Sequence, residues 1–209
     1  METILNFDLA VFEFFREHIW NSVMDTLMVF YTGLGEGGII WILLGLILLI
    51  PKKTRKAGIS VLASLLVMEV INNLVLKELI ARPRPFNLLT DWEGIKSMPD
   101  LAARWAEGYV FPELVSRPSS WSFPSGHTSS AFAAVMGMTM GTKKAKFAIP
   151  GFIAAALMGF SRIYVHVHYC TDVLGGALVG IIYGIIGYFI AVAVYKFLAE
   201  KFPKIAGVA

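Results

Sequence analysis

Apolar positions in this chain fall into long runs separated by short polar breaks, the pattern of helices that cross a bilayer. Five runs stand out: about Gly35 to Ile50, Gly58 to Leu76, His127 to Thr139, Phe147 to Ile163 and Val173 to Val194. The third is short for a hydrocarbon core of ~30 Å, so it is expected to tilt or to borrow residues from its flanks. Upstream, Leu5 to Gly33 is apolar but interrupted by Asp8, Glu13, Arg16, Glu17, His18 and Asp25. That segment reads as an amphipathic helix in the membrane interface, followed by a helix that partly enters the bilayer or forms a sixth span. No basic stretch precedes a short apolar one, so a cleaved signal peptide is not expected. The predicted fold is all-α: an integral-membrane helical bundle of one domain over 1–209. Residues 1–33 form its N-terminal helices, and 86–123 form a helical insertion outside the cytoplasm.

Composition agrees. The 209 residues are 56% hydrophobic and 16% charged, where soluble domains carry roughly 25% charged residues. Disorder is excluded by the density of aliphatic and aromatic residues. An internal disulfide is excluded because Cys170 is the one cysteine. The net charge of +3 does not point to nucleic acid, because its distribution carries the information. Lys52, Lys53, Arg55 and Lys56 follow the first run, Lys143, Lys144 and Lys146 the third, and Lys196, Lys201 and Lys204 the fifth. Alternating spans put these clusters on one side, which the positive-inside rule makes cytoplasmic. Lys77 to Gly126 and the loop around Val165 to Thr171 then face outward, in a multi-pass protein of the cell membrane.

The remaining reactive residues gather at the outward span ends. Lys77 and Arg84 end the second run, Ser125 and His127 begin the third, Arg162 ends the fourth, and His168 and Asp172 begin the fifth. In Phe123-Pro-Ser-Gly-His127 a turn leads into a helix whose first N–H groups and positive dipole end suit a phosphate. The bland reading of that segment is a capped helix. His168 and Asp172 are four apart, on one helical face. A carboxylate bonded to one imidazole nitrogen leaves the other free as a nucleophile, although such pairs also serve as plain structural hydrogen bonds. His166 has no second motif around it and reads as a packing or interfacial residue. The cations Lys77 and Arg84 lie on the outer side against the positive-inside bias, and a bound anion supplies the reason.

Together these segments resemble the type-2 phosphatidic-acid phosphatase family, which includes lipid phosphatases and vanadium haloperoxidases. The family's pattern of Lys, six residues, Arg-Pro is met by Lys77 with Arg84-Pro85, its Pro-Ser-Gly-His by Pro124 to His127, and its third element by Ser161-Arg162 with His168 and Asp172. The similarity covers roughly residues 58–195. It implies that His168 attacks phosphorus to form a phosphohistidine, oriented by Asp172, while His127 protonates the leaving oxygen and then activates water. Lys77, Arg84, Ser125, Gly126 and Arg162 are implied to hold the phosphoryl oxygens, with neither metal nor other cofactor. A chain this hydrophobic points to a lipid substrate, as in small bacterial envelope members. Undecaprenyl diphosphate leads, with phosphatidylglycerol phosphate and phosphatidic acid as alternatives. The expected partners are therefore a membrane lipid and the bilayer, not nucleic acid, and oligomeric state is left open.

Two rival readings use the same residues. His127, His166, His168 and Asp172 are metal-ligand types, but three nearby cations oppose a metal. Glu69, Asn73 and Lys77 recur at i, i+4 and i+8, which fits either a lipid transporter or a polar stripe supporting a hydrolytic site from below. The second is preferred, since a transporter has no need of the histidine set. Within the insertion, Pro99 to Gly108 reads as a short helix capped by Asp100. Its Trp105, together with Trp121, is expected to border the path of the lipid rather than to touch phosphate.

Overall fold

The computed structural model describes residues 2–87 and 112–202, and every regular element among them is helical. Helix α1 spans Glu2–His18, α2 Ser22–Leu34 and α3 Ile39–Leu49. Helix α4, Arg55–Met68, continues through a π-helical stretch, Glu69–Leu76, into the single turn α5, Lys77–Ile80. Helices α6 (Gly126–Thr142), α7 (Ala145–Tyr164) and α8 (Cys170–Lys201) complete the bundle. The helix expected over Pro99–Gly108, with Trp105, lies outside the described residues.

Three helical stretches are long and apolar enough to cross a membrane: Lys52–Asn87, Lys146–Tyr164 and Cys170–Lys201. Helices α2 and α3 add a fourth if the pair, bent by 43°, counts as one span. This differs from the five runs in the sequence at two places. The run that starts at Gly35 is only the second limb of a bent pair starting at Ser22. Gly37 and Gly38 have φ of 58° and 68°, a left-handed conformation that glycine adopts readily and that breaks the helix here. Asn21 starts the first limb by accepting from the Val23 and Met24 N–H groups at 3.1 and 3.0 Å. The other difference is α6, whose 17 residues rise roughly 25 Å, less than the hydrocarbon thickness.

Helices α4, α6 and α8 pack at the centre, with α3 and α7 against them. Their close approach depends on glycines of α8 that the hydropathy pattern does not reveal. A Cβ on Gly180 would lie 2.7 Å from the Ser129 carbonyl oxygen, and one on Gly184 2.9 Å from that of Ala133. This is small-residue packing of membrane helices, where backbones touch because side chains are absent. Leu43, Ile47, Leu178 and Phe189 point outward and are exposed, as a lipid-facing surface requires. Helix α1 is attached differently. Its Leu5, Leu9, Phe12 and Phe15 form one buried stripe against Ile163 to Tyr169. The ends of α5 and α7 and the starts of α6 and α8 therefore meet at one end of the bundle, beside α1.

Candidate active site

The loop Val165–Tyr169 between α7 and α8 carries two histidines in contrasting settings. His166, at φ 58°, packs 5.4 Å from the Phe12 ring and 4.3 Å, edge-on, from Trp20. Burial lowers its pKa to about 3. His168 is also buried, but among polar groups. Its Nε2 lies 3.3 Å from Arg84 Nη1, and its Nδ1 lies 3.5 Å from both Ser122 Oγ and Asp172 Oδ2. Burial, then the charges of Arg84, Arg162 and Lys77, hold the imidazole well below its ordinary pKa. It is neutral, with Nδ1 turned to the carboxylate and Nε2 to the cations.

Asp172 is fully buried in the first turn of α8. Its Oδ2 accepts from Ser122 Oγ at 2.5 Å and from the Tyr169 N–H at 2.9 Å, which caps the helix. Its Oδ1 accepts from Arg82 Nη1 at 2.6 Å.

Three cations converge beside His168. Lys77, Arg84 and Arg162 are 7%, 3% and 5% exposed, degrees of burial that charged side chains rarely reach without partners. Arg84 is clamped: Nε donates to the Ser120 carbonyl at 2.6 Å, Nη1 to the Val167 carbonyl at 2.7 Å, and Nη2 to Ser120 Oγ at 3.0 Å. Arg162 Nη1 donates to Thr32 Oγ1 at 2.6 Å, while its buried Nε has no hydrogen-bond acceptor. Lys77 Nζ lies 3.5 Å from Ser120 Oγ, placed there by the π-helical stretch that widens the turn before it.

Across from them, α6 begins. Gly126 opens the helix beside Lys77 and Asn73; a Cβ there would lie 3.6 Å from Lys77 Nζ. His127 Nε2 lies 3.6 Å from Glu36 in the α2–α3 bend. Ser125 is buried under this turn: its N–H donates to the Asp172 carbonyl at 3.1 Å, and its Oγ accepts from Thr128 Oγ1 at 2.9 Å.

One cavity of about 1180 Å³ has Lys77, Arg84, Gly126, His127, Arg162 and His168 in its wall. Ser125 and Asp172 are not in that wall. Glu69 and Asn73 are, and Asn73 Nδ2 donates to Glu69 Oε2 at 2.6 Å. The far wall is apolar, with Ile42, Leu62 and Leu66 between α3 and α4, and Leu66 also reaches the exposed outer surface. Trp121 stands outside the wall, its Nε1 donating to Glu78 at 3.3 Å. Among the described residues, no three His, Cys, Asp or Glu side chains are grouped to hold a metal. An anion with an apolar tail fits this cavity: cations and the His168 imidazole at one end, hydrocarbon at the other.

Besides Thr32 and Glu36, four polar residues around the site lie outside the motifs. Ser120 and Ser122 carry no sequence signal beyond a polar stretch before Pro124. Arg82 is half of a doubled Arg-Pro, and Asp8 looks like an interruption of an apolar helix.

Comparison with known proteins finds relatives over most of the chain. The PAP2 superfamily profile matches residues 57–202. An undecaprenyl-diphosphatase of Sulfolobus acidocaldarius is 31% identical over 170 residues, 80% of this chain and 72% of the relative. The undecaprenyl-diphosphatase BcrC of Bacillus subtilis is 32% identical over 168 residues, 78% of this chain and 73% of its own length. The crystal structure of Aquifex aeolicus LpxE superposes with a TM-score of 0.66 at 28% identity, covering 86% of this chain and 93% of that one.

Proposed function

This chain belongs to the PAP2 superfamily, and from that premise we propose that it releases phosphate from a lipid diphosphate through a phosphohistidine on His168. It is a phosphoric-ester hydrolase of membrane lipids. The observation that carries the proposed mechanism is the convergence of three buried cations on a neutral histidine at the polar end of a cavity whose other wall is hydrocarbon.

The terminal phosphorus sits among Lys77, Arg84, Arg162 and the Gly126 amide, whose charges balance the phosphoryl oxygens as bonds loosen. His168 Nε2 attacks in line. The bond from phosphorus to the bridging oxygen breaks, and His127 gives that oxygen a proton. Asp172 keeps the Nδ1 proton toward itself and offsets the positive charge of the phosphorylated ring. In the second step His127 takes a proton from water, the water oxygen attacks phosphorus, and the N–P bond breaks to free orthophosphate and neutral His168. Ser125 holds the turn that presents Gly126 and His127. Glu69 and Asn73 support Lys77 from below.

Undecaprenyl diphosphate is the leading substrate, on the strength of the two similar diphosphatases. Phosphatidylglycerol phosphate and phosphatidic acid are the alternatives. The positively charged loops support a site at the outer surface of the cell membrane, with five crossings when α6 is counted despite its length. The test is phosphate release by the purified full-length chain from these three lipids, with His168→Ala as control. Preference for the diphosphate by at least about tenfold in kcat/KM, roughly 1.4 kcal/mol of transition-state binding, supports the reading. Preference for a monophosphate lipid reassigns the substrate.

A further inference from the structure

Resting on the phosphohistidine reading, we propose that Asp8 and Arg82 are positioning residues of this reaction. Through them the N-terminal helix α1, which lies outside the family match at 57–202, sets the charge that Asp172 presents to His168.

The contacts form a continuous chain between two fully buried carboxylates, with Arg82 itself partly buried. Arg82 Nη1 donates to Asp172 Oδ1 at 2.6 Å and to Thr171 Oγ1 at 2.7 Å, and Nη2 donates to Asp8 Oδ2 at 2.7 Å. The Arg82 guanidinium also lies 4.0 Å from the centre of the Tyr169 ring, which fixes its plane. Asp8 is fully buried; Oδ1 accepts the Thr171 N–H at 2.8 Å and Oδ2 accepts Thr171 Oγ1 at 2.6 Å. A carboxylate from α1 thus caps the first turn of α8, the turn that contains Asp172.

The charge count explains why two carboxylates are needed. Asp172 has no solvent contact, and a lone buried carboxylate is too costly to keep ionised without a partner. Arg82 meets that need, but a pair of Arg82 and Asp172 alone is neutral and does little for a cationic phosphohistidine. Asp8 shares the guanidinium, so the trio keeps one net negative charge, and Asp172 Oδ2 directs it at His168 Nδ1. Hydrogen-bond geometry also depends on the trio. The distance of 3.5 Å from Asp172 to His168 leaves a loose contact whose closure during reaction requires the carboxylate plane to be held from behind.

The experiment uses the full-length chain in detergent micelles with Asp8→Asn, Arg82→Lys, Arg82→Met and the double variant Asp8→Asn/Arg82→Met. Turnover of undecaprenyl diphosphate is measured alongside the nitrogen resonances of His168 in isotope-labelled protein. Asp8→Asn keeps the shape and an acceptor for Thr171, so folding is preserved; thermal unfolding midpoints verify that. Arg82→Met is expected to lower kcat about 10–100-fold and Asp8→Asn by a smaller factor, both with KM within about twofold of wild type. Arg82→Lys restores part of the loss, and Asp8→Asn causes no further loss in the Arg82→Met background. The His168 Nδ1 resonance should shift in Asp8→Asn although residue 8 does not touch the ring. Losses that multiply in the double variant, a change confined to KM, or an unmoved resonance overturn the proposal. If wild type hydrolyses none of the three lipids while the resonance still moves with Asp8→Asn, the substrate reading fails and the coupling stands.

Discussion

The two faces of the Val165–Tyr169 loop differ more than two residues of sequence would suggest. On one face His166 is sealed between Phe12 and Trp20 in the apolar contact with α1. On the other, His168 is sealed equally well, but among Arg84, Ser122 and Asp172 at a cavity wall. Both rings are depressed below the ordinary imidazole pKa, and burial is the first cause in each. Burial therefore does not distinguish a reactive histidine from a packed one. What differs is the second cause at His168, where the charges of Arg84, Arg162 and Lys77 add to burial. A perturbed titration marks a site when specific charges face the group and the group faces a cavity.

The sharpest way to break this comparison is to remove each ring in turn. His168→Ala should reduce lipid phosphate release by about a thousandfold or more, since His168 is the proposed nucleophile. Acid-quenched protein from a substrate labelled in its terminal phosphate should carry label in wild type and none in the variant. Label retained after His168→Ala would assign the nucleophile elsewhere, with His127 the first place to look.

His127 comes next in size. If it is the general acid proposed above, it matters in proportion to the basicity of the leaving oxygen, so His127→Ala should cost about 10²–10³-fold with an alkyl phosphate. With a nitrophenyl phosphate, whose leaving group needs little protonation, first-step single-turnover rates should fall much less. Equal losses for both esters would instead give His127 a purely binding role.

The residues that line the cavity were legible in the sequence and those that support them were not, for a physical reason. Lys77, Arg84, Arg162, His127 and His168 can be read because their spacing is tied to the ends of helices, which the hydropathy pattern locates. They line one cavity, as antiparallel packing of those ends demands. Asp8, Ser120 and Ser122 act through contacts between segments far apart in the chain, and no local periodicity encodes such a contact. That α2 and α3 are limbs of one bent pair was hidden for a related reason: the break at Gly35 to Gly38 reads as a boundary between segments, and hydropathy does not sense φ. Glycines of α8 read as neutral positions in an apolar helix, whereas their role lies in what they leave out. Trp121, read from the sequence as bordering the lipid path, is exposed at the end of the bundle that carries the site. Its indole N–H donates to Glu78 outside the cavity wall.

The smallest effect on activity, and the one that completes the contrast, is expected from His166→Asn. Asparagine tolerates a positive φ better than most residues, so the backbone at 58° is kept while the ring contacts are lost. Turnover should stay within about threefold of wild type, because His166 reaches neither the cations nor the cavity. Stability should fall by roughly 1–2 kcal/mol for the lost aromatic packing. Its pH dependence should change as well. His166 binds a proton in the unfolded chain near the ordinary imidazole value of 6.5 but in the fold only near 3. Between those values the unfolded state holds the extra proton, so stability contributed by the neutral buried ring is complete above about pH 6.5 and declines as pH falls toward 3. His166→Asn removes that group's share of the slope and leaves the contributions of the other groups in place. Unfolding midpoints from pH 7.5 to 4.5 should therefore drop less steeply in the variant than in wild type. Parallel lines for the two proteins would mean that His166 is already protonated in the fold, and the apolar face of the loop would then be a second polar one.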